Sequence, residues 1–519
     1  MTDSGTGSTQ YDRPEHLGDE TLTFYQRLKA GWANADAIAF DDGVVTLTYG
    51  ELDAATGRAA SALLAQGLEP GDRICLAMQK SLAQIVVLLG ALRAGLVVLP
   101  LNPDSPAEVV ADQISRTAPV LLIGEREDGW RSRTESGPAA VPRCLDADPA
   151  RPHDPLHATD HTDPDRFSVD DEAGAIILFT SGSTGRPKAV IHSHGALFAN
   201  TDALRIIWDI GASDRLLHVL PTTHAHGLIV APMPILLAGG TVVLRPRFDP
   251  GDAVAWLPRV TCFMGVPFYY GQLLQHPQFT AGAARQLRLA ICGSAPILPE
   301  VREQVEDRLG LPLLERYGMT ETLIMTANSP ARNRAGSVGL PLPGWSLRIR
   351  SLVTHETAPP QEIGDVEARG PLALPSYLDD WAETARKTAP DDFFRTGDVG
   401  WVDTDGFLHI TGRADDLIIY AGLNIQPSEV EAALVAINGV VDVCVFGVPH
   451  PHAGQAVMAA VVSAAGTTLT PAAIRAELIG KLPATKIPKR VYVVSTLPRN
   501  TMGKLRRDLL RKAFEHGTL

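Results

Sequence analysis

Between Thr48 and Leu101 the apolar spacing switches from helical to extended and back, and each helix stops at a glycine. Thr48-Tyr49-Gly50-Glu51 reads as a capping box, in which the Thr48 hydroxyl and the Glu51 carboxylate satisfy orphan N–H groups at a helix start. Leu52, Ala55, Ala59 and Leu63 fall on one face of that helix, which should end near Gly67. Arg73–Ala77 then reads as a short buried strand, 85–94 as a helix ending at Gly95, and Val97–Leu101 as a second strand. Strands alternating with helices argue for a parallel α/β sheet.

The chain has 519 residues, too many for one ordinary domain of about 150. Hydrophobic residues make up 45%, enough to fill a core and too few for a multi-span membrane protein. Residues 1–20 are polar and acidic and read as a disordered tail. Residues 124–168 are rich in Pro, Asp, Arg and His and read as a surface excursion. His153, His157 and His161 recur there at intervals of four, but Pro155 interrupts any helix that would align them, so a solvated loop is expected. The α/β pattern resumes at Gly174 and runs to about Ile410, where ITGRADDLIIYAG marks a boundary. Segments around 443–448, 456–462, 471–481 and 491–494 then suffice for a small α+β domain.

Lys and Arg number 46 against 59 Asp and Glu, a net charge of −13. Such a chain lacks the basic face that nucleic acid requires, although a local patch can still hold a small anion. Five scattered cysteines with no CxxC pair argue against a disulfide framework and a cysteine zinc site. The N-terminus has no basic, apolar signal, and no run of about 18 apolar residues occurs. A cytoplasmic protein with neither a membrane nor a nucleic-acid partner is expected.

The chemistry-bearing feature of highest information is Phe179-Thr180-Ser181-Gly182-Ser183-Thr184-Gly185-Arg186-Pro187-Lys188. The apolar run 175–179 delivers the chain into a loop of glycines and hydroxyls that ends on a lysine. Glycines let backbone N–H groups approach an anion, hydroxyls add donors, and Lys188 adds charge. Pro187 separates this loop from the GxxxxGK[ST] pattern. Further along stand Gly293-Ser294-Ala295, then Glu315-Arg316-Tyr317-Gly318-Met319-Thr320-Glu321-Thr322, an aromatic, a hydroxyl and a carboxylate that could stack a base and hold Mg²⁺. Arg395-Thr396-Gly397-Asp398, Gly412-Arg413-Ala414-Asp415-Asp416 and Pro498-Arg499-Asn500-Thr501-Met502-Gly503-Lys504 complete the series. Each alone is a turn with charges; their order and spacing together are specific.

In these motifs the chain resembles the adenylate-forming superfamily of acyl-CoA synthetases, carrier-loading adenylation domains and beetle luciferases, from about Leu47 to Lys504. The resemblance implies an α/β fold of that superfamily. A large N-terminal domain of α/β subdomains (21–411) would carry a small mobile α+β lid (412–519). It also implies roles. Thr180, Ser181, Gly182, Ser183, Thr184, Gly185 and Lys188 would cradle the ATP β,γ-phosphates. Tyr317 and Gly318 would lie against adenine, with Gly293, Ser294 and Ala295 lining the same slot. Thr320 would contact the α-phosphate and Glu321 would ligate Mg²⁺. Asp398, helped by Arg413, would accept from the ribose hydroxyls. Lys504 would bridge substrate carboxylate and ATP, and Asp415 would be the hinge. Gly422, in Tyr420-Ala421-Gly422-Leu423-Asn424, would approach the pantetheine tunnel, with Ala421 in place of the usual first glycine.

Within the superfamily, Thr222-Thr223-His224-Ala225-His226-Gly227, GSAPIL at 293–298 and Phe263-Met264-Gly265-Val266-Pro267 look most like malonyl-CoA synthetases. His224 would gate the thiol tunnel, and His226, Phe268, Gln272, Cys292 and Met319 would line the acyl pocket. Malonate needs a cation for its distal carboxylate, expected a few residues after Gly-Val-Pro. Gln272 stands there and cannot neutralise an anion. Arg285 and Arg288 are the alternative cations. The expected activity is ATP-dependent ligation of a small, polar or unsaturated acid to CoA, by a monomer or homodimer. Loading of a carrier-bound phosphopantetheine, and activation of another oxyanion such as nitrite, stay open on the sequence alone.

Overall fold

The computed structural model describes residues 22–125, 143–157, 165, 167–180, 187–370, 376–420, 423–451, 453–464, 466–499 and 505–518. Two large sheets build the N-terminal part. A nine-stranded sheet runs in the order Leu340–Pro341, Leu323–Ala327, Leu313–Met319, Leu289–Cys292, Cys262–Gly265, Arg215–His218, Thr241–Leu244, Ile38–Asp41 and Thr46–Thr48. A seven-stranded sheet runs Ser376–Tyr377, Ala189–Ser193, Gly174–Phe179, Val97–Pro100, Arg73–Ala77, Leu121–Glu125 and Arg143–Ala147. In both sheets the middle strands are parallel. Antiparallel pairs join toward the ends, as between Gly174–Phe179 and Ala189–Ser193. The expected parallel sheet is therefore the centre of each of two mixed sheets. Strands buried on both faces read as continuous apolar runs, as Val97–Pro100 does, with all four residues buried.

The local signals at the start of the chain hold. Thr48 caps the helix Tyr49–Leu64; its hydroxyl accepts the Glu51 N–H at 3.2 Å, and the Glu51 carboxylate accepts the Thr48 N–H at 2.8 Å. The next helix, Leu82–Arg93, is buried on every side and so shows no amphipathic stripe. One expectation changes. The region 124–168, read as an excursion, contains the strand Arg143–Ala147, which pairs in parallel with Leu121–Glu125 at the sheet edge. Its Cys144 and Leu145 pack against the apolar core. An edge strand needs only one neighbour and a short apolar centre, so its signal is weak within a polar stretch. Among the described residues no His, Cys, Asp and Glu cluster could hold a metal; His153 and His157 lie here, and His161 lies outside the described residues.

A four-stranded antiparallel sheet, Ser346–Ser351, Gly364–Arg369, Phe394–Val402 and Leu408–Arg413, leads to the C-terminal part. There the long hairpin Val440–His450 and Gly454–Ser463 is joined by Ile418–Tyr420, Leu423–Ile425 and Arg490–Val493. Its two faces are buried separately: Val445, Val457 and Val461 against Val430, Leu434 and Ile474 on one, and Phe446, Met458 and Ala460 with Leu510 on the other. This part touches the N-terminal body at Arg499, whose guanidinium lies 5.6 Å from the Phe268 ring centre. Among the described residues no helix is long and apolar enough to cross a membrane.

Candidate active site

Four neighbouring parallel strands of the nine-stranded sheet, ending in or running through His218, Gly265, Cys292 and Glu315, release their chains at one edge. Open α/β sheets bind ligands in the crevice outside such carboxyl ends. The segments that follow are the 219–227 loop, the helix Pro267–Leu274, the 293–298 loop and the 316–322 turn, which carry about half of the residues singled out from sequence.

The phosphate-loop candidate is pinched at its base. Thr180 N–H donates to the Lys188 carbonyl at 2.8 Å, and Lys188 N–H donates to the Thr180 hydroxyl at 3.0 Å. Ser181, Gly182, Ser183, Thr184 and Gly185 lie outside the described residues. The Lys188 ammonium pairs with Glu383 and sits 5.1 Å from the centre of the Tyr377 ring. Arg386, and after it Lys188, holds the Glu383 carboxyl down to about 2.

The 316–323 segment turns back on itself as a hairpin. At Gly318 an added Cβ would run into the Leu323 carbonyl, so only glycine fits. The Glu321 carboxylate accepts the Tyr377 hydroxyl at 2.8 Å, and the Thr320 carbonyl lies 2.8 Å from His192 Nε2. Tyr317 and Asp398, 81 residues apart, meet at 2.5 Å, the phenol donating to the carboxylate. Asp398 also pairs in strand register with Arg413, whose Nε is 3.3 Å from Asp398 Oδ1. Burial and the adjacent Asp398 carboxylate both push the Tyr317 phenol well above its ordinary pKa.

Beside this lies a cluster of histidine and arginine side chains around Ser294. Ser294, at φ 70°, directs its hydroxyl between His226 Nδ1 at 3.2 Å and Arg316 Nη2 at 3.3 Å. Gly293 leaves room for that arginine, because a Cβ there would stand 2.5 Å from Arg316 Nε. Arg316 is 6% exposed, and among the described residues no carboxylate comes within ion-pair distance of it. Burial lowers its pKa to about 10. Burial also pushes His224 down to about 4 and His226 well below the ordinary histidine range. His226 Nε2 and Arg316 Nε are buried and find no hydrogen-bond partner among the described residues. Lys80 reaches in from the other large sheet and donates to the His218 and Leu220 carbonyls at 2.9 and 2.8 Å. Cys292 closes the end of its strand, its thiol raised by burial.

Of the remaining acyl-pocket candidates, Gln272 is half-buried on the helix Pro267–Leu274, Phe268 is 41% exposed beneath Arg499, and Met319 is half-buried at the hairpin tip. Of the alternative arginines, Arg288 is paired with Asp214 at 2.5 Å and Arg285 is exposed. Arg316, one residue before the aromatic, was given no role from the sequence, yet it is a buried cation set against the Ser294 hydroxyl. Its signal was a pair of adjacent charged residues, Glu315 and Arg316, inside the strand Leu313–Met319. His192, Tyr377 and Glu383 were missed as well. Gly422 and Lys504 lie outside the described residues, and Asp415 falls in the short turn Ala414–Asp416.

A family described as AMP-binding enzyme matches residues 28–378, and its C-terminal domain matches residues 429–504. The chain belongs to the AMP-binding enzyme family. Feruloyl-CoA synthase of Amycolatopsis is 33% identical to this AMP-binding enzyme over 486 residues, covering 92% of this chain and 96% of the relative. Sulfoacetate–CoA ligase of Cupriavidus necator is 31% identical over 487 residues, covering 92% and 94%. ATP-bound MatB from Rhodopseudomonas palustris superposes with a TM-score of 0.90 at 35% identity, covering 96% of this chain and 99% of that one. The resemblance to adenylate-forming acyl-CoA synthetases, and the fold it implied, hold for this AMP-binding enzyme.

Proposed function

We propose that this AMP-forming acyl-CoA ligase activates a small carboxylic acid bearing a second anionic group, and that Arg316 receives that group. The observation that carries the reading is a buried arginine with no counter-ion among the described residues. An unpaired buried charge is costly, and an anionic ligand that pairs with it relieves the cost. His226 and the Ser294 hydroxyl stand ready to bind the same group. The sulfoacetate–CoA ligase among the relatives is named for an acid with two anionic ends.

In the first half-reaction a carboxylate oxygen of the acid attacks the α-phosphorus of ATP. The bond to pyrophosphate breaks and a mixed anhydride with AMP forms. Both reactants are anions, so positioning and charge neutralisation supply most of the rate. Tyr317 would flank the base and Asp398 would accept from the ribose. Lys188 and the 180–185 loop would hold the outer phosphates, and Lys504 would bridge the two reacting anions. Glu321 presents a carboxylate with one oxygen held by Tyr377, a hard donor suited to Mg²⁺, which when bound screens the phosphate charge. In the second half-reaction the CoA thiol attacks the anhydride carbonyl and AMP departs. His224 lies on the loop expected to border the thiol path, and a turn of the lid at Asp415 would separate the two steps.

The test is pyrophosphate release with malonate, sulfoacetate, propionate and ferulate, each with and without CoA. Doubly anionic acids should exceed propionate in kcat/KM by at least about tenfold, and Arg316→Met should erase that preference. Equal or better use of propionate or ferulate would exclude Arg316 as an anion site.

A further inference from the structure

The turn that carries Thr320 and Glu321 is strained and is held from outside its own hairpin. Leu323 has φ 57°, a left-handed conformation that a branched side chain rarely adopts. Within the turn, Thr322 N–H donates to the Met319 carbonyl at 3.2 Å. Two side chains from the segment that follows the phosphate loop grip this hairpin. Asn200 Nδ2 donates to the Ile324 carbonyl at 2.7 Å. His192 Nε2 lies 2.8 Å from the Thr320 carbonyl oxygen. A carbonyl only accepts, so Nε2 carries the hydrogen.

The Thr320 carbonyl belongs to the peptide unit that joins Thr320 to Glu321. Tilting that unit re-aims the hydroxyl on one side and the carboxylate on the other. His192 sits on the strand Ala189–Ser193, four residues beyond Lys188, and is 5% exposed. That strand is paired along its length with Gly174–Phe179, which leads into the phosphate loop. One rigid ribbon thus bears the base of the phosphate loop and the donor that fixes the Thr320–Glu321 peptide.

We propose that His192 is a positioning residue for adenylation, holding the Thr320–Glu321 peptide in register with the phosphate loop through its Nε2–H···O=C bond. The inference rests on the α-phosphate and metal roles given above to Thr320 and Glu321. A misplacement of about 1 Å at such groups lowers a rate by about a hundredfold without abolishing binding.

The experiment compares wild type, His192→Leu, His192→Asn and His192→Gln in two assays. One is pyrophosphate release from ATP and the acid; the other is AMP release from a synthetic acyl-adenylate and CoA. In His192→Leu the kcat for pyrophosphate release should fall at least about tenfold. KM for ATP and for the acid should stay within about threefold, and the acyl-adenylate reaction should keep its rate. An amide N–H can replace the imidazole donor, so Asn or Gln should recover a substantial part of the loss. Unchanged kcat in His192→Leu, equal impairment of Leu, Asn and Gln, or a parallel fall in both assays would overturn the proposal. If His192→Leu does not fold, the Asn and Gln variants decide it: at least one must keep more than about a tenth of wild-type kcat. Wild type that releases no pyrophosphate with any acid would remove the adenylation roles themselves, an outcome distinct from an active enzyme indifferent to residue 192.

Discussion

The Tyr317 hydroxyl donates to Asp398 Oδ2 at 2.5 Å, while Arg413 stands 3.3 Å from the other carboxylate oxygen. Three strands, Leu313–Met319, Phe394–Val402 and Leu408–Arg413, therefore converge on one carboxylate. If that carboxylate accepts from the ribose, Asp398→Asn should raise KM for ATP about 10- to 100-fold, the worth of a charge-assisted bond. Tyr317→Phe would keep the ring proposed to flank the base and lose one bond, so a change of a few-fold is expected. ATP–pyrophosphate exchange across ATP concentrations measures both; equal effects of the two variants would contradict separate roles.

Lys188 is paired with Glu383. If Lys188 holds the outer phosphates of ATP, as proposed, a triphosphate and Glu383 compete for the same ammonium. Glu383→Gln should lower KM for ATP by about threefold, and Lys188→Ala should raise it at least about tenfold. A higher KM in Glu383→Gln would show that Glu383 aims Lys188 instead of occupying it.

Two glycines predict different failures. A methyl at residue 293 meets the end of the Arg316 side chain, which can move, so Gly293→Ala should fold and shift KM for the acid. A methyl at residue 318 meets the Leu323 backbone, which cannot move cheaply. Gly318→Ala should cost at least about 2 kcal/mol of stability, read as a lower urea midpoint. Equal midpoints for the two variants would contradict the packing described.

Burial holds His192, His194 and His224 down to about 4. Between about pH 6.5 and 4 the unfolded chain binds protons that these folded histidines refuse. Each therefore makes stability fall with falling pH across that window, by up to about 1.4 kcal/mol per pH unit. Burial raises Glu315 to about 7, which acts in the opposite sense: its contribution falls as pH rises from about 4.5 to 7. Urea midpoints from pH 5 to 8 should decline on the acid side, and Glu315→Gln should steepen that decline. A flat acid limb in both proteins would mean that these histidines are hydrated.

The Thr48 cap, the strand and helix runs that follow it, and the ordered motifs were legible because each depends on residues within a turn or two of one another. Hydrogen-bond periodicity and turn chemistry are local, and a single sequence carries them. The strand Arg143–Ala147 was hidden because its apolar centre is short and its partner lies outside its own segment. A cation was sought at Gln272 by distance along the chain; the structure instead buries Arg316 against Ser294, which also meets His226, through strands that pair across long separations. Arg288 looked equally available and is spent on Asp214. Whether an arginine has a counter-ion, and which carbonyl His192 reaches, is decided by packing between distant segments. The sequence determined the family, the fold class and the residues expected to handle a nucleotide; tertiary contacts alone decided which buried charge was left without a partner among the described residues, because electrostatic pairing depends on distance in space and not along the chain.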